Sequence, residues 1–68
     1  MKEIYKVEFT IIDKGETYQD QTKEVTVKKG ETVKSALQSV LKKYRYAMNL
    51  TTKFQFEITT SKFVGYTS

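Results

Sequence analysis

The sequence predicts an α+β domain of order ββαββ, in which a four-stranded mixed sheet carries a single helix on one face. Three observations lead there. Tyr5, Val7, Phe9 and Ile11 recur at every second position, the signature of a half-buried strand. Val33, Ala36, Leu37, Val40, Leu41, Tyr44 and Met48 recur at helical spacing, which makes one apolar stripe. Proline is absent, so neither ladder nor helix need be interrupted. Sixty-eight residues make one domain, 1–68.

The first strand spans Lys2 to Asp13, with Tyr5, Val7, Phe9 and Ile11 inward and Ile4, Lys6, Glu8, Thr10 and Ile12 on the other face. Asp13-Lys14-Gly15-Glu16 reads as a hairpin connection, with Gly15 free to take positive φ. The return strand is clearest from Lys23 to Lys28, where Val25 and Val27 point inward; the preceding TYQDQT has no apolar face, so it projects past the core or carries a bulge. Thr32 suits the helix N-cap, Lys42, Lys43 and Arg45 sit where the dipole favours cations, and Asn49 suits a left-handed cap. The helix is thus expected to run about four turns, through Met48. Phe54, Phe56 and Ile58 then alternate as a third strand, Thr60-Ser61-Lys62 turns, and Phe63 to Tyr66 form a short fourth strand.

The net charge of +4 is uneven. Residues 1–27 hold four lysines against six acids, whereas residues 28–53 hold seven bases against Glu31 alone. The positive excess belongs to the helix and its flanks. There is neither cysteine nor histidine, which excludes disulfides, thiolate chemistry, the commonest metal ligand and the usual neutral-pH base. The eight carboxylates show no metal spacing or nucleophile motif, so the chain is read as a non-enzyme with no cofactor, metal or small-molecule substrate. No apolar run is long enough for a membrane span, and MKEIYKVEF lacks a signal-peptide core; a cytoplasmic protein is expected.

The passage KEVTVKKGETVKSAL across the strand–helix junction, together with the element order, resembles a β-grasp (ubiquitin-like) domain. That family includes protein modifiers, sulfur carriers, immunoglobulin-binding modules and ferredoxins. The resemblance implies terminal strands side by side and parallel at the sheet centre, and a binding role. The chain ends GYTS where modifiers and carriers have a glycine pair, and it lacks the cysteines of the ferredoxins, so neither covalent transfer nor a cluster is expected. In style this small, lysine-rich chain is also similar to accessory proteins of phages and mobile elements.

The expected function is therefore a small protein–protein interaction module or regulator. A chain this short buries only about 60% of its unfolded surface, so self-association is also expected to help. The alternative is a nucleic-acid binder using a basic helix face. Candidate partner or phosphate contacts are Lys28, Lys29, Lys34, Lys42, Lys43, Arg45 and Tyr46. Phe54 and Phe56 share parity with Ile58 and are assigned to the core rather than to a base-stacking platform. Exposed members of the set Ile4, Ile12, Phe63, Val64 and Tyr66 would mark a protein interface if they cluster.

Overall fold

The computed structural model describes residues 2–67. Its elements are β1 (Lys2–Asp13), β2 (Glu16–Val27), α1 (Val33–Lys43) and β3 (Gln55–Thr67). They form one sheet in the order β2-β1-β3, with β1 antiparallel to both neighbours. The expected four-stranded mixed sheet is thereby corrected to three antiparallel strands, ββαβ. Thr60-Ser61-Lys62 do not turn; they continue β3 opposite Glu8, Val7 and Lys6. The first and last strands are indeed neighbours, but they run in opposite directions.

The chain direction follows from where the helix ends. The Lys14-Gly15 hairpin, with φ +56 and +76, returns β2 along β1 in the two-residue geometry that suits strand twist. α1 begins beyond Val27 and packs chiefly over β2. The chain then reaches Asp13, whose carboxylate accepts hydrogen bonds from the Thr51 backbone N–H at 2.9 Å and from the Thr51 hydroxyl. That clamp holds the loop at the hairpin end of the sheet, so β3 must start there and run back antiparallel to β1.

Three bulges shape the sheet. Asp20, at φ +59, falls where the β1–β2 register shifts between Phe9 and Ile11, and accommodates the extra residue foreseen in TYQDQT. On β3 the extra residues are Thr59 and Val64, where the pairing with β1 shifts. The Thr59 hydroxyl donates to the Glu8 carbonyl at 3.0 Å, which pins the first of these.

The core is Val7, Phe9 and Ile11 of β1, Val25 and Val27 of β2, Ala36, Leu37 and Leu41 of α1, and Leu50. Tyr5, Val33, Val40, Phe54, Phe56 and Ile58 pack around it, half-buried. The helix is shorter than its apolar spacing suggests. It begins as expected, Thr32 Oγ1 accepting from the Ser35 N–H at 3.0 Å, but ends at Lys43. Tyr44 leaves helical geometry, and both Tyr44 and Met48 are exposed rather than core. A separate turn follows, in which Leu50 N–H bonds the Arg45 carbonyl at 2.9 Å and Asn49 N–H bonds the Tyr46 carbonyl at 3.1 Å. With Asn49 at φ +58, this is a Schellman closure, and it swings Leu50 into the core.

Candidate functional site

An eleven-residue helix is about 16 Å long, against a molecule 38 Å in its longest dimension. Because α1 lies over β2, the helix-side face of β3 is left partly open. Two features follow from that geometry.

The first is an aromatic cluster. Tyr5 stands opposite Phe63, and their rings meet edge-on at 5.7 Å; Phe63 and Tyr66 meet edge-on at 5.1 Å. Such pairs are stabilising, yet Phe63, Val64 and Tyr66 stay 44%, 52% and 62% exposed. The Tyr5 hydroxyl donates to Glu3 at 3.3 Å, and burial first, then the Glu3 charge, pushes the phenol pKa up. The bulges create this cluster. Counting alternate positions from Phe54, Phe56 and Ile58 would put Phe63 on the other face; the extra residue Thr59 returns it, and the extra residue Val64 then brings Tyr66, three positions beyond Phe63, to the same face as Phe63.

The second is a groove between α1 and the start of β3. One hollow of about 440 Å³ is lined by Gln38, Lys42, Thr52, Phe54, Gln55 and Phe56. A second, of about 400 Å³, is lined by Lys34, Phe56, Glu57 and Ile58. Both hollows are lined by Phe56, with a lysine side chain of α1 on the helix side of each and aromatic side chains on the strand side.

The candidate residues separate into three groups. Lys34 and Lys42 line the groove together with Gln38. Lys28 and Lys29 lie in the tight connection before α1, where Glu31 N–H bonds the Lys28 carbonyl at 3.0 Å and Lys28 N–H bonds the Glu31 carboxylate at 3.2 Å. Lys43, Arg45 and Tyr46 gather at the far end of the helix. Lys43 sits 5.8 Å from the Tyr44 ring centroid, and Arg45 lies 4.3 Å over Tyr46 while donating to the Leu50 carbonyl at 3.2 Å. Arg45 is therefore engaged in closing the turn, and Tyr46, 85% exposed, covers only that guanidinium. Lys23 also approaches the Tyr44 ring, at 5.2 Å. The basic stripe of the sequence is thus no single patch.

Spacing did not single out Asp13, Thr51 or Leu50, which fix the loop that opens the groove. Asp13 is the buried carboxylate of the core face, and the Thr51 hydroxyl and backbone bonds, with help from Lys14, hold its pKa below 3.8 against the opposing effect of burial. Among the described residues, no group of three or more potential ligands could hold a metal ion, and no helix is long and apolar enough to cross a membrane. Comparison with family models, with curated proteins and with solved structures finds no match, so the surface itself carries the functional reading.

Proposed function

We propose that this protein is a non-catalytic, cytoplasmic protein-binding module whose contact surface is the open side of β3. The observation that carries the reading is the Tyr5–Phe63–Tyr66 cluster: Phe63 and Tyr66 of the edge strand β3, with Val64 between them, stay wet beside the half-buried Tyr5 of the central strand β1. Isolated exposed apolar residues are ordinary, whereas a contiguous aromatic group on an unpaired edge is what a protein interface uses. A second chain would bury these rings, and the free edge would offer it backbone hydrogen bonds. The nucleic-acid alternative loses support because the cations are divided among three places and Arg45 bonds its own backbone.

Phe63→Ser and Tyr66→Ser test the reading. Both side chains lie outside the buried core, so the folded protein should persist by circular dichroism, while partners captured from host extract by the wild type should fall at least tenfold. Equal capture by wild type and both variants would contradict the reading.

A further inference from the structure

We infer that the groove between α1 and the first half of β3 receives an acidic peptide segment in extended conformation, which adds to the free β3 edge at Gln55–Ile58. The inference rests on the protein-binding reading above and deepens it, but uses different residues.

The sheet order leaves β3 as an edge, with one row of backbone groups facing away from β1. Bulges at Thr59 and Val64 divide that row into regular stretches, Gln55–Ile58 opposite Ile12–Phe9 and Thr60–Phe63 opposite Glu8–Tyr5. Of these, Gln55–Ile58 lines the groove, so it is the stretch that can template a strand there. A strand added there projects alternate side chains into the groove, toward Phe54 and Phe56 below and Lys34, Gln38 and Lys42 above.

The charge of the groove selects the occupant. Lys34 and Lys42 stand on one wall, and among the described residues the only carboxylate lining either hollow is Glu57, which pairs with Thr10 on the other face of the sheet. The two lysines are eight residues apart on the helix, about 12 Å along its axis. Residues four apart in an extended strand are separated by about 13–14 Å and share a face. An acid–x–apolar–x–acid segment therefore matches the groove, its carboxylates reaching the two ammonium groups and its central apolar side chain meeting Phe56. Charge pairing at a partly open site contributes mainly to orientation and rate, so the recognition is electrostatic in register and apolar at its centre.

The probe is a fluorescein-labelled synthetic peptide with the core Glu-Thr-Val-Thr-Glu. Controls are Lys-Thr-Val-Thr-Lys, a peptide with its two acids three residues apart so that they fall on opposite faces, and an oligothymidylate. Binding is followed by anisotropy, and amide hydrogen exchange locates it on the whole protein. The inference predicts binding of the first peptide at low salt, at least tenfold weaker binding of each control, slowed exchange within Gln55–Ile58, and at least tenfold loss in both Lys34→Glu and Lys42→Glu. Both side chains are exposed, so the variants should fold, and circular dichroism checks this. No preference between the two acid spacings, protection on β2 instead of β3, or no effect of the lysine substitutions overturns the inference. Tighter binding of oligothymidylate overturns it in favour of a polyanion, and concentration-dependent protection without peptide overturns it in favour of a second copy of this chain. None of these outcomes touches the Phe63 and Tyr66 capture experiment, so failure of the groove is separable from failure of the protein-binding reading.

Discussion

Leu37→Ala is expected to lower Tm by on the order of 10–20 °C, the largest effect of a single truncation in this fold. Leu37 is 0% exposed and sits at the centre of the contact between α1 and the sheet. Removing a buried leucine side chain costs about 2–5 kcal/mol, through lost burial and the cavity left behind. A domain of this size holds only about 3–10 kcal/mol in total, and each kcal/mol moves Tm by roughly 4–8 °C. The same change at the exposed neighbour, Ser39→Ala, should stay within about 0.5 kcal/mol. Thermal denaturation of the two variants side by side checks this. Equal Tm values would mean that α1 does not dock through Leu37.

Asp13→Asn is expected both to destabilise the protein and to flatten its acid denaturation. The carboxylate accepts two hydrogen bonds from Thr51, thirty-eight residues away, and so ties the loop before β3 to the end of β1. An amide in its place presents a donor to one of two donors, which leaves a polar group unpaired in a buried position. The pH dependence has a definite sign. Hydrogen bonding from Thr51 lowers the folded pKa from its ordinary 3.8, so the folded carboxyl binds a proton less readily than the unfolded one. The resulting stability is fully present above 3.8 and drains away as pH falls through the lower folded value. Melting curves from about pH 6 down to pH 2 should show a steep acid loss in the wild type and a shallower one in Asp13→Asn. Parallel curves would remove Asp13 from its assigned role.

The fold was legible where one physical period governs a whole face. The alternation of Tyr5, Val7, Phe9 and Ile11, the Gly15 turn, and the pairing of Val25 and Val27 with the same face all follow from burial on one side of an antiparallel pair. The helix start was legible because Thr32 has a local capping geometry. The end of the sheet was not. Thr60-Ser61-Lys62 looks like a turn because it is short and polar, yet Thr60 and Lys62 lie on the wet face, where nothing requires an apolar residue. Threonine also favours strands, and the triplet contains no glycine, proline, asparagine or aspartate to force a reversal.

The helix end and the site were hidden for related reasons. Tyr44 and Met48 keep the helical spacing of the stripe, but the chain has already left the sheet's cover and closes a separate turn around Asn49. Leu50 lies off that stripe, and only the Schellman closure shows why it is buried. The aromatic cluster depends on two single-residue bulges that each invert parity, which no period-two count can reveal. The groove depends on bringing Phe56 opposite the Lys34–Lys42 face, across a loop that the long-range Asp13–Thr51 bond anchors. Local pattern gave the charge of that wall; tertiary structure supplied the opposite one.

Both proposed surfaces exist only if β3 runs unbroken along β1 as an edge strand, and nuclear Overhauser contacts on the isotopically labelled protein test this directly. Cross-strand contacts should join Ile11 to Phe56, Val7 to Ser61 and Glu3 to Tyr66 within one sheet. Sequential turn contacts across Thr60-Ser61-Lys62, with Val7 and Glu3 showing none to the second half of β3, would contradict the continuous strand and the docking surface built on it.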